Sequence, residues 1–166
     1  MTENQLIAKA EELVAVLKAK NLTLGLAESC TGGWLSKIIT DVSGASAIYN
    51  GGICSYSNEI KIKLLGVNPE TLRLYGAVSE QTAKEMANGA RKALNAHIGV
   101  GITGIAGPTS DDTAKPVGLI YVAVADENQT LVTELRNNFT DEIRLNNRMS
   151  AIETALTLLG GLNEKE

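Results

Sequence analysis

The chain has 166 residues, 44% of them hydrophobic and 20% charged, with a net charge of −4. That size and balance suit one globular domain, 1–166, able to bury a core without disulfides or metal ions, and they exclude a chain disordered along its length. No block of Lys and Arg makes a nucleic-acid footprint, two cysteines cannot build a disulfide scaffold, and a lone histidine, His97, gives little support to a His-based metal site or a Ser-His-Asp triad.

The start, Met1 to Gln5, lacks the basic residues and apolar stretch of a signal peptide. No apolar run approaches the roughly 20 residues of a membrane span. A cytoplasmic protein with neither membrane nor nucleic acid as partner is expected. Residues 3–20 read as an amphipathic helix, with Leu6, Ala10, Leu13, Val14 and Leu17 at helical spacing. Leu22 to Ala27 alternates like a strand. Gly32-Gly33 precedes a helical stretch carrying Trp34, Leu35, Ile38 and Ile39, so Ser29 falls where a strand gives way to a helix. Ile48 to Tyr56 reads as a strand interrupted at Gly51-Gly52. Asn58 is the expected cap of a short helix, Glu59 to Leu65, stopped by Gly66. Pro69 opens another helix, ended by Gly76, and Ser79 caps a third that runs to about Asn95. Ile98 to Ile102 reads as a buried strand, followed by a long loop from Thr103 to Pro116. Val117–Ala125 and Leu131–Asn138 form a strand pair. The last helix is expected from near Thr140 to near Leu159, before Gly160-Gly161. Helices alternating with strands, and a late hairpin, predict an α/β fold, a three-layer α/β/α sandwich with a mixed, mostly parallel sheet. In such sheets ligands bind beyond the carboxyl ends of strands, and Ser29, Tyr56 and Thr103 all lie at such ends.

Four segments can carry chemistry. In Glu28-Ser29-Cys30-Thr31-Gly32-Gly33, small hydroxyl residues beside glycines at a helix start offer backbone N–H groups to an anion or oxyanion; read alone, the segment is nearer a helix cap than a catalytic site. It is neither a Walker loop nor a G-x-S-x-G elbow. Cys30 competes with Ser29 as nucleophile, although a buried cysteine is more often inert packing. In Tyr56-Ser57-Asn58-Glu59-Ile60-Lys61, a lysine in the first turn of a helix is electrostatically disfavoured, which lowers its pKa and lets it take a proton from serine; the plainer reading is a solvated lysine. The glycine-rich stretch Thr103-Gly104-Ile105-Ala106-Gly107-Pro108, extended by Lys115-Pro116-Val117-Gly118, lets backbone approach a ligand. Arg144 and Arg148 share a helix face at i,i+4 and can clamp a phosphate or carboxylate, or simply be solvated.

Taken in order, Ala-Glu-Ser-Cys-Thr-Gly-Gly, Tyr-Ser-Asn-Glu-x-Lys, Gly76-Ala77-Val78-Ser79-Glu80, Thr-Gly-Ile-Ala-Gly-Pro and Lys-Pro-Val-Gly resemble the C-terminal domain of the competence/damage-inducible protein CinA, from about residue 5 to 160. The stand-alone form of that domain is nicotinamide-nucleotide amidase. The resemblance implies hydrolysis of nicotinamide mononucleotide to nicotinate mononucleotide and ammonia, in pyridine-nucleotide salvage. It implies Ser29 as nucleophile, Lys61 as general base and Tyr56 as its partner, with no metal and no organic cofactor. Cys30, Thr31, Gly32 and Gly33 are the candidate oxyanion segment. Thr103, Gly104, Ile105, Ala106 and Gly107, with Arg144 and Arg148, are the candidate contacts to a small nucleotide substrate. A homodimer is the assembly the resemblance suggests. The pyrophosphatase-linked N-terminal domain of full-length CinA has no counterpart among these residues. The family's Gly-Asp-Arg-x-x-Val/Ile-Arg stretch is altered here: Thr140 to Arg148 lacks the glycine, carries Asn147 at an aliphatic position and is shifted by one. That departure keeps open a catalytically silent nucleotide-binding or regulatory module as the alternative.

Overall fold

In the computed structural model, which describes residues 1–163, Thr2 opens α1 (Glu3–Ala19) with a capping box, its hydroxyl accepting the Gln5 N–H while the Gln5 side chain accepts the Thr2 N–H. The helix buries Leu6, Ala10, Leu13, Val14 and Leu17, the stripe its spacing predicts. Then follow β1 (Leu24–Glu28), α2 (Trp34–Thr40), a 3₁₀ turn (Ala45–Ala47), β2 (Tyr49–Cys54), α3 (Asn58–Leu65), α4 (Pro69–Tyr75), α5 (Glu80–Ala93), β3 (Ile98–Gly104), β4 (Leu119–Ala125), β5 (Thr130–Arg136) and α6 (Ile143–Asn163).

The five strands form one mixed sheet in the order β2-β1-β3-β4-β5. β1 pairs in parallel with both β2 and β3, while β4 is antiparallel to β3 and β5. Four strands therefore point one way and β4 alone is reversed. α1, α2 and α6 cover one face with the main core of Leu, Ile and Val, and α5 covers the other, with α3 and α4 packed against it. The three-layer sandwich is the architecture that the alternation of elements predicts. No described helix is long and apolar enough to cross a membrane.

Most strand ends shift by one or two residues from the sequence reading, β2 ending at Cys54 and not Tyr56, and three further differences bear on the site and the core. Ser57, not Asn58, caps α3: its hydroxyl accepts the Ile60 N–H, so Lys61 lies a full turn inside the helix. β3 continues through Thr103 to Gly104 because β4 supplies partners as far as Ile120. α6 begins at Ile143 and runs through Gly160-Gly161 to Asn163; buried Leu159 and Leu162 offset the roughly 1 kcal/mol that each mid-helix glycine costs.

The α5 layer sits unusually close to the sheet because small residues meet there. A Cβ at Gly99 would lie 2.0 Å from the Ala87 carbonyl oxygen, and one at Gly101 would lie 2.4 Å from that of Ala83. Gly101→Ala is expected to destabilise the fold by about 1–3 kcal/mol through overpacking, read as a lower midpoint in urea unfolding.

Candidate active site

β1 is flanked by parallel neighbours on both sides, and its chain leaves through α2 on one face while β3 continues to β4 on the far side. The carboxyl ends of β1 and β3 thus border a switch point, where α/β sheets leave a crevice. A cavity of about 300 Å³ opens there. A larger hollow of about 430 Å³ lies beside Arg91 and His97 but gathers no nucleophile next to a base. His97 Nδ1 accepts the Thr23 N–H at 3.0 Å, a structural use of the lone histidine.

Ser29 is the first residue after β1. Its N–H donates to Ile102 O at 3.0 Å, and the Ser55 N–H donates to Glu28 O at 2.8 Å, so both neighbouring strands fix the end of β1. The Glu28 side chain is 1% exposed and accepts four hydrogen bonds: from Thr31 Oγ1 (2.7 Å), Leu35 N (2.8 Å), Ser36 N (3.0 Å) and Ser36 Oγ (2.8 Å). Gly33, at the cap position of α2, has no side chain to satisfy the helix's first N–H groups; the Glu28 carboxylate does so from the strand. Between these anchors the chain must turn tightly, and Gly32 (φ 59°) and Gly33 (φ 93°) take the left-handed conformations that allow it.

Lys61 reaches this turn from α3. Its Nζ stands 3.2 Å from Ser29 Oγ and donates to Ser55 O at 2.5 Å. The residue is 1% exposed, and no carboxylate pairs with it among the described residues. Burial pushes its pKa down to about 8, because a charged ammonium loses hydration there without gaining a counter-ion. The neighbouring Cys30 thiol moves the opposite way, pushed up to about 11 by burial. It thus lacks the lowered pKa of an activated cysteine, and the hydroxyl that stands at hydrogen-bond distance from Lys61 is that of Ser29.

The far wall is the end of β3 and the loop after it. Thr103 is buried and its hydroxyl donates to Ala77 O at 2.7 Å. Asn147 Nδ2 donates to Ala106 O at 3.0 Å, and Arg144 Nη1 to Gly107 O at 2.9 Å. Arg144 Nη2 also donates to the Tyr56 hydroxyl at 3.1 Å. Tyr56 is 65% exposed at the cavity mouth, and no hydrogen bond joins it to Ser29 or Lys61.

Of the residues singled out from sequence, Ser29, Cys30, Tyr56, Lys61, Thr103, Gly104, Ile105, Ala106, Gly107 and Arg144 line this cavity. Thr31, Gly32, Gly33 and Arg148 do not. Thr31 is fully buried with its hydroxyl on Glu28, and the amino end of α2 is already claimed by that carboxylate, which corrects the expectation of open donors there. Arg148 Nε and Nη2 donate to Cys30 O (3.1 Å) and Thr31 O (2.9 Å), and its guanidinium lies 5.2 Å from the Trp34 ring centroid; it braces the turn from behind. Unforeseen from sequence are Thr109, Ser110 and Asp111 on the rim, and Ala77 and Val78 on the wall. The last two lie in a quoted motif, whose glycine-alanine-valine pattern carried no chemistry by itself. Lys115 holds that segment by donating to Tyr75 O and Val78 O. No group of three or more His, Cys, Asp or Glu side chains could share a metal ion among the described residues.

Residues 7–162 match the family model of the CinA C-terminal domain. A competence-damage inducible protein of Thermoanaerobacter sp. is 56% identical over 126 residues, covering 75% of this chain and 30% of its own length. A CinA-like protein of Thermotoga neapolitana is 46% identical over 149 residues, covering 87% and 36%. The chain thus spans about a third of the length of these curated relatives. Among solved structures, the competence/damage inducible protein CihA of Agrobacterium tumefaciens superposes with a TM-score of 0.91 at 37% identity, covering 98% of this chain and 97% of that one. A CinA superfamily protein of Klebsiella pneumoniae gives 0.90 at 29%, with both chains covered in full.

Glu28→Ala would strand buried donors of Thr31, Leu35 and Ser36, and is expected to destabilise the fold by on the order of 3 kcal/mol in urea unfolding. Lys61 predicts a pH effect. Unfolded, it titrates near its ordinary 10.5; folded, near 8. Between those values the unfolded chain binds the additional proton, so stability rises with pH across that window. Lys61→Met should lack this increment when unfolding is compared at pH 7.5 and pH 10.

Proposed function

The chain belongs to the CinA C-terminal domain family, and we propose that it is an amidohydrolase converting nicotinamide mononucleotide to nicotinate mononucleotide and ammonia. The observation that carries this reading is the Lys61 amine, buried without a counter-ion and 3.2 Å from the Ser29 hydroxyl. A serine alone is a poor nucleophile. A neutral amine within hydrogen-bond reach activates it.

The hydrogen bond to Ser55 O orients the base. A carbonyl can only accept, so it takes one N–H of the neutral amine, which leaves the lone pair free for the Ser29 O–H. Ser29 Oγ attacks the carboxamide carbon while its proton passes to Lys61. The oxyanion accepts from the Cys30 N–H, the donor that follows the nucleophile and that makes no backbone–backbone hydrogen bond among the described residues. The Lys61 ammonium then protonates the departing nitrogen, the C–N bond breaks, and ammonia leaves a nicotinoyl ester on Ser29. Water, deprotonated by Lys61, attacks the ester carbonyl; Ser29 Oγ leaves and recovers its proton. Every step is a proton transfer or an acyl transfer between groups already present, and none requires a metal.

The ribose phosphate is assigned to the cavity mouth, where Arg144 retains N–H donors beyond those given to Gly107 O and Tyr56. Tyr56 is placed beside the substrate and, through it, alongside Lys61.

Incubating the protein with nicotinamide mononucleotide should release ammonia. Ser29→Ala and Lys61→Met should each lower kcat by roughly 10³-fold or more. Because only the neutral amine acts as base, kcat/KM should rise with pH through a limb near 8. Full turnover by Ser29→Ala would overturn the reading; saturable nucleotide binding by wild type without ammonia release would point to a silent binding module instead.

A further inference from the structure

We propose that Arg148 is a positioning residue for the nucleophile turn and not a ligand for the substrate's phosphate. The inference rests on the reading of Ser29 as nucleophile. It starts from the face that α6 turns toward the site. Positions 144, 147 and 148 lie at i, i+3 and i+4 and so share one side of the helix. From that side Arg144 and Asn147 hold the loop after β3, through Gly107 O and Ala106 O. Arg148, one position further, holds the opposite wall, through Cys30 O and Thr31 O.

Three consecutive carbonyls of the turn are thereby fixed. Ser29 O accepts the Gly32 N–H at 3.0 Å, and Thr31 O accepts the Trp34 N–H at 3.1 Å as well as Arg148 Nη2. Cys30 O has Arg148 Nε. Peptide units are planar and trans, so the C=O and N–H of each unit point opposite ways. Fixing Ser29 O toward Gly32 directs the Cys30 N–H away from it, and drawing Cys30 O back to α6 stops the next unit from rotating and carrying that N–H with it. The residue after the nucleophile is held on both sides, and the brace on its carbonyl comes from a side chain 118 positions along the chain.

The arginine itself is committed. Two of its nitrogens serve carbonyls, the Trp34 ring lies 5.2 Å from its centre, and it is absent from the cavity wall that Arg144 helps to form. A phosphate held in that cavity meets Arg144 on its wall and not Arg148, which faces the turn behind it. Its charge still acts locally: it pulls the Cys30 thiol downward against the stronger upward push of burial, so the same field favours negative charge forming on the oxyanion above the turn.

Positioning and phosphate binding predict opposite kinetics. Arg148→Met and Arg148→Lys would be assayed on nicotinamide mononucleotide and on its dephosphorylated riboside. Positioning predicts that Arg148→Met lowers kcat by about 10²-fold on both compounds, with KM moving less than about threefold. Arg148→Lys should fall between it and wild type, and added guanidinium ion should restore part of the kcat of Arg148→Met. Phosphate binding predicts a raised KM for the mononucleotide alone, with kcat kept, and that result would overturn the inference. Ser29 reactivity gives a reading independent of the natural substrate. A fluorophosphonate should label Ser29 in wild type, located by mass spectrometry, and label Arg148→Met more slowly by a comparable factor. Equal labelling rates would overturn the role of Arg148 while leaving Ser29 as nucleophile. A wild type that neither turns over nor labels would overturn the nucleophile, and this inference with it. If Arg148→Met fails to fold, the same comparisons are made with Arg148→Lys, which keeps the charge and loses the two-pronged contact.

Discussion

The buried carboxylate of Glu28 is the joint between the sheet and the site. It sits at the last position of β1, and its four hydrogen bonds reach forward over the turn to Thr31 and the first donors of α2. A helix that starts on glycine has no side-chain cap of its own, and the tight turn between β1 and α2 needs an anchor that spans it. One anion answers both needs. It also explains why the segment between Glu28 and Trp34 must be so compact, and hence why Ser29 faces Lys61 at hydrogen-bond distance. With α2 capped from the strand, its first N–H groups are already engaged, and the proposed reaction draws its oxyanion donor from the turn.

Local signals in the sequence carried most of the framework. The α1 stripe, the Ser79 cap, the Pro69 start and the alternation that gives a three-layer sandwich depend on spacing and on side chains acting within a few residues. Ser29 and Lys61 were legible as candidates because a hydroxyl at a strand-to-helix junction and a lysine near a helix start are each chemically suggestive. What lowers the proton affinity of Lys61 was not legible in the same way. The expected cause was the positive end of a helix; the cause in the structure is burial, and Ser57 rather than Asn58 opens α3, which sets Lys61 one position deeper.

Three features whose setting the spacing did not show share a reason. Arg148 looked like half of an anion clamp because i,i+4 spacing tells only that two side chains share a face. What meets that face was decided by a turn more than a hundred residues earlier. Asn147, the departure from the family pattern, is buried with its amide on Ala106 O, where it helps to hold the loop that walls the cavity. Gly160-Gly161 looked like a stop because glycine is a poor helix former, yet Leu159 and Leu162 bury on either side of the pair. In each case a long-range contact outweighed a correct local tendency.

The seating of α3 carries a wider consequence. The helix is held by Leu65 and, just beyond it, Val67, which pack with Ala27, Met86 and Ala90 in a small cluster apart from the main core. Lys61 owes its low proton affinity to the dryness that this seating maintains. The cluster is therefore a tuning element as well as a packing one: loosening it would admit water to the amine and return it toward an ordinary, protonated lysine, the form that the proposed reaction cannot use as a base.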